Sequence, residues 1–182
     1  LTGTASFLSL KIMQGDWQLA IHFCGVMLSF FLGALLSGLI IQNATLRLGK
    51  RYSAALLLES FLLFTALMML QHNYSNSDFL ASAACGLQNA MVSTYSGAII
   101  RTTHITGTVT DLGVMIGQYL RGHTIDTRKL GLYLLLLTGF ITGGLVGAFG
   151  FLQIHYAILW LPIISTQILA LIYGWYWFRQ KH

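Results

Sequence analysis

Leu1-Thr2-Gly3-Thr4 recurs as Ile105-Thr106-Gly107-Thr108, and each copy leads into a long apolar stretch with small residues at every fourth position. After the first copy these are Gly25, Ser29, Gly33 and Ser37; after the second, Gly139, Gly143 and Gly147. Small residues at i, i+4 and i+8 line one face of a helix and let a neighbouring backbone come close, the usual device for packing helices in lipid. The copies are offset by 104 residues at Thr2/Thr106 and by 110 at Gly33/Gly143, which places a six-residue insertion between the landmarks, assigned to Arg121–Lys129. The duplication predicts a membrane protein built twice from one plan.

Composition agrees with lipid as the main solvent. Of the 182 residues, 55% are hydrophobic and 8% charged, too little polar surface for a water-soluble globule. Five apolar runs approach the ~20 residues needed to cross a bilayer: Trp17–Ile41, Ser53–Leu70, Phe79–Ile100, Leu130–Phe151 and His155–Phe178. The chain opens without Met and without the basic region of a signal peptide, the pattern expected of a chain lacking its beginning. Cys24 and Cys85 lie inside apolar runs and read as packing residues.

Arg47, Lys50 and Arg51 follow the first run, Arg101, Arg121, Arg128 and Lys129 separate the third from the fourth, and Arg179 and Lys181 follow the fifth. Gln71–Asp78 and Leu152–Ile154 carry no Lys or Arg. This alternation places the basic segments and the C-terminus in the cytoplasm. It also accounts for the net charge of +5 without invoking nucleic acid. Thr106–Leu120 would reach only ~22 Å as a helix and reads as a short re-entrant or interfacial helix. Three crossings then separate the Thr-Gly elements. The expected fold is therefore an all-α polytopic membrane protein, a 3+3 inverted-topology repeat with five of six spans present. Its halves would be 1–78, the remainder of the first repeat, and 79–182, the second, in one integral membrane domain.

Candidate functional residues are the polar ones that such a setting makes costly. Glu59 lies within an apolar run, where an exposed charge is unfavourable, so it should face protein or a wet path. A structural partner and a role in proton or cation coupling are both open to it. Gln88 and Asn89 are adjacent in the third run, one suited to a cavity and the other to an interhelical bond. Thr103, Thr106, Gly107, Thr108 and Asp111, with Thr2 and Gly3 in the other copy, mark helix breaks whose bared backbone must be satisfied by protein or line a solute path. Alternatively, Thr108 or Thr110 simply caps a short helix with Asp111 in its first turn. Pro162 should kink the last span, and Trp160, Trp175, Tyr176 and Trp177 fit interfacial anchors. His22, His72, His104, His123 and His155 lack metal-ligand spacing, and no nucleotide-binding or catalytic fingerprint is present; neither an enzyme nor a cofactor is expected.

Gly86-Leu87-Gln88-Asn89-Ala90 and Arg101-Thr102-Thr103-His104-Ile105-Thr106-Gly107-Thr108-Val109-Thr110-Asp111-Leu112-Gly113 resemble the YoaK family of bacterial inner-membrane proteins, which carry domain of unknown function 1275. The resemblance covers nearly the whole chain and implies a bacterial inner-membrane location. Family members usually open with a membrane helix ending near Thr-Gly-Asn. Here the matching positions read Thr2-Gly3-Thr4, with no helix before them. The family supplies no substrate, so transport rests on the repeat alone. The expectation is a secondary transporter or channel-like permease for a small solute, the alternative a non-transporting scaffold or a stress or assembly partner. Expected partners are the lipid bilayer, a solute or coupling ion, and a second copy in a homo-oligomer.

Overall fold

The computed structural model describes residues 1–41, 50–95 and 105–180, and all the regular structure among them is helical. The helices are α1 (Thr2–Met13), α2 (Trp17–Ile40), α3 (Lys50–Gln71), α4 (Ser77–Tyr95), α5 (Ile105–Leu120), α6 (Thr127–Ile154) and α7 (Trp160–Gln180), with a 3-10 segment at His155–Leu159. They form two compact units, one of Leu1–Ile100 with Tyr156–His182 and the other of Arg101–His155.

In the first unit α4 lies between α2 and α3, which touch each other only sparsely although they are consecutive. α2 and α4 run parallel: His22 meets Asp78, Ser82 Oγ donates to Val26 O at 2.8 Å, and Gly86 meets Phe30. Their backbones touch. A Cβ on Gly33 would fall 1.9 Å from Ala83 O, and one on Gly86 2.0 Å from Phe30 O. In lipid, such close approach supplies the dispersion contacts and weak Cα–H···O bonds that burial from water supplies elsewhere. On the other side of α4, Leu87 and Met91 pack with Ala55 and Leu56 of α3, and Ala84 with Leu63 and Leu67. α3 is thus antiparallel to α4.

α7 closes the far side of α3 in the opposite direction. Ser53 Oγ donates to Ala170 O at 2.7 Å, Ser60 Oγ to Ile163 O at 3.3 Å, and Tyr52 meets Tyr173 edge to face. At the other flank α1 folds back along α2 through Gly15, whose φ of +73° turns the chain, and Asp16, whose carboxylate accepts from Leu19 N. Phe7 stacks on Phe23 at 5.9 Å, placing Thr2 and Gly3 near the middle of α2's length.

The second unit repeats that hairpin. After α5 the chain turns at Gly122, with φ +88°, and α6 is capped by Asp126, whose carboxylate accepts from Arg128 N and Lys129 N. α6 ends at His155, whose φ of +50° breaks the helix.

Three stretches among the described residues are long and apolar enough to cross a membrane: Trp17–Ile40, Arg51–Gln71 and Thr127–Arg179. This corrects the expectation of five spans out of six in a 3+3 inverted repeat. Asp78, Gln88 and Asn89 make α4 too polar over Ser77–Tyr95 to qualify. The last two runs merge through the 3-10 segment into one 53-residue stretch. Leu152–Ile154 is accordingly the final turn of α6 and no loop. Pro162 falls in the first turn of α7, where its missing N–H breaks no helix bond, so the expected kink has no cause.

Candidate functional site

Glu59 is the most constrained candidate. It sits on the buried face of α3 with 3% of its surface exposed, and its Oε2 has no hydrogen-bond partner. Its neighbour Ser60 turns toward α7, while Glu59 lies in electrostatic contact with Cys85 of α4. The helical run of Ala55, Leu56, Leu63, Ala66 and Leu67 around it is fully apolar and buried. A carboxylate held there is costly in its charged form unless a proton, a cation or a donor joins it. Ser37 of α2 is equally enclosed, at 0% exposure, with its Oγ unpartnered.

The other predicted residues of this unit are less enclosed. Gln88 is exposed on α4; Asn89 is half-buried and already engaged. Thr2 and Gly3 are exposed on α1, with open space where a Cβ would stand on Gly3. In the second unit Thr106, Gly107, Thr108 and Asp111 lie along α5. Thr108 is buried and engaged, and Thr106 O accepts from Thr110 Oγ1 at 2.9 Å. Asp111 is exposed and interacts with Tyr133 of α6. Helix α5 already begins at Ile105, so neither Thr108 nor Thr110 is its N-cap, a correction to the capping alternative. Thr103 lies outside the described residues.

The packing stripes differ in kind. A Cβ on Gly25 would fall 3.0 Å from the Phe79 ring, Gly33 receives the α4 backbone, Ser29 is half-buried and Ser37 buried. At Gly139, Gly143 and Gly147 a Cβ would meet nothing within 4 Å.

Sequence reading overlooked a second polar contact. His22 Nε2 lies 2.5 Å from Asp78 Oδ2, with the imidazole against the Phe79 ring at 5.0 Å. Asp78 also stands in the first turn of α4, where the helix dipole favours its charge. Only their placement at the starts of two apolar runs hinted at the pair, since 56 residues separate them. Among the described residues no three His, Cys, Asp or Glu side chains group as a metal would require.

No curated protein and no solved structure matches the chain. A family model described as "Protein of unknown function (DUF1275)" matches residues 1–172. The chain is therefore a multi-span membrane protein belonging to the DUF1275, or YoaK, family.

Proposed function

We propose that the chain is a cation-coupled secondary permease for a small solute, set in the bacterial inner membrane with its C-terminus in the cytoplasm. The observation that carries this proposal is Glu59, a carboxyl buried within a membrane-length apolar helix with one oxygen unpartnered. Structural ion pairs satisfy both sides; a group left open at that depth is suited to exchange a small cation with the solvent. The orientation draws on the antiparallel packing of α3 and α7, which brings Arg51 and Arg179 to one end of the first unit. The opposite end holds the Lys- and Arg-free segment Gln71–Asp78, in line with a positive-inside arrangement.

Proteoliposomes holding the purified protein test the proposal. Sugars, amino acids, organic acids and nucleosides are offered in turn under an inward proton or sodium gradient. At least one solute should accumulate in wild type and not in Glu59→Gln. Failure of every solute both to accumulate above protein-free vesicles and to raise the melting temperature would leave the scaffold as the better account.

A further inference from the structure

The charges of the first unit are sorted by end. At the starts of α2 and α4, which run parallel, Lys11 Nζ pairs with Asp16 at 3.6 Å and His22 pairs with Asp78. The remaining acid of the unit, Glu59, is buried inside α3. α3 begins and α7 finishes at the other end, and the segments 42–58 and 160–182 that contain those termini hold Arg47, Lys50, Arg51, Arg179 and Lys181 and no Asp or Glu. Arg47 and Lys181 lie outside the described residues; Arg51 and Arg179 are exposed. Ser53 Oγ donates to Ala170 O and Tyr52 meets Tyr173, so α7 runs on past the start of α3. Arg51 precedes Tyr52 by one residue, and Arg179 stands six residues beyond Tyr173, roughly 9 Å of helix rise. On this overhang Trp175, Tyr176 and Phe178 are 60%, 47% and 61% exposed, and the Arg179 guanidinium lies over the Trp175 ring at 4.5 Å. Stacking uses the face of the guanidinium and leaves its in-plane N–H groups for an anion. The rise between the two arginines is close to the thickness of one headgroup layer, roughly 5–8 Å.

We propose that this end of the α3–α7 pair is a binding site for anionic phospholipid. Arg51 and Arg179 donate to headgroup phosphate oxygens, and the exposed rings of Trp175, Tyr176 and Phe178 lie along the glycerol and upper acyl chains. The ligand must join charge to hydrocarbon, because Arg179 continues directly from the apolar stretch Thr127–Arg179, which is long enough to cross a membrane. A soluble anion would answer the arginines and leave three large rings in water. The N-terminal dipole of α3 adds to the attraction for a phosphate. Lipid held along this end covers the seam between the two helices, so binding should stabilise the fold. The site needs no transport activity and stands or falls apart from the permease.

The purified full chain, stripped of lipid in detergent, tests the site by titration with phosphatidylglycerol, with phosphatidylcholine of the same acyl chains, and with glycerol phosphate. Bound lipid is counted by native mass spectrometry and the melting temperature is followed in parallel. Phosphatidylglycerol should bind at lower concentration than phosphatidylcholine and raise the melting temperature further, and added salt should narrow the difference. Arg51→Gln and Arg179→Gln, each checked for monodisperse elution, should each raise the half-saturating concentration of phosphatidylglycerol about fivefold and leave that of phosphatidylcholine unchanged. Lys11→Gln removes one positive charge from the opposite end and should change neither. Equal binding of the two lipids by wild type would overturn the site. So would a loss in Lys11→Gln as large as in the arginine variants, which would reduce the preference to net charge. Glycerol phosphate stabilising the protein as much as phosphatidylglycerol would make the ligand a soluble phosphate and refute the lipid.

Discussion

At Gly33 and Gly86 a missing Cβ lets two backbones meet, and each residue faces the other helix's carbonyl at a distance no side chain tolerates. Gly33→Ala and Gly86→Ala should each destabilise the purified protein by about 1–3 kcal/mol or more, as overpacking of a tight contact does, and a thermal melt in detergent would register it. Gly143→Ala should leave the melt unchanged or raise it slightly, because its added methyl meets open space and favours helix. The same i, i+4 spacing therefore has two outcomes. Periodicity shows that a helix face can accept a neighbour, and only the fold shows whether one arrives. Glu59 was legible for a firmer reason, since a charge inside an apolar run can escape lipid only inward. The His22–Asp78 contact is partly exposed, so its loss in His22→Ala should cost no more than ~1 kcal/mol, and a double-mutant cycle with Asp78→Asn would isolate the coupling.

The two hairpins share a grammar that runs past the Thr-Gly signature: a short helix, a glycine at positive φ, an aspartate cap, a long helix. The offset between them is 104 residues at Thr2/Thr106, 107 at Gly15/Gly122 and 110 at Asp16/Asp126. Half of the six-residue insertion thus falls before Gly122, largely within α5, and half in the turn after it. The stripes located the insertion only to an interval, while the turn glycines divide it. Each turn should respond alike to substitution. Gly15→Ala and Gly122→Ala force a Cβ into a left-handed backbone and should each cost ~1–2 kcal/mol. Asp16→Ala and Asp126→Ala remove a cap at about 1 kcal/mol; circular dichroism melts would check all four. The polar residues of α4 explain why an apolar run in the sequence fell short of a spanning helix. A protein-lined seam tolerates the half-buried Asp78 and Asn89 where lipid would not.

Across the first unit the helices stand in the spatial order α1, α2, α4, α3, α7, with the basic ends of α3 and α7 together. Cysteines placed at Asn73 and at Arg179 should react with an impermeant maleimide from opposite faces of the cell membrane, the former from outside. Reaction of both from one face would refute the orientation drawn from the charges. The insertion of α4 between α2 and α3 is not legible in the sequence, because nothing in the pattern of either helix says that they should stay apart. That insertion bears on how the protein is made. During synthesis α2 and α3 are complete before α4 has been translated, so the slot at Gly33 must stay open until its occupant emerges. A nascent chain halted near Asn76 would hold two helices with no finished seam between them, and quality-control proteases of the membrane should clear it faster than a chain halted beyond Tyr95.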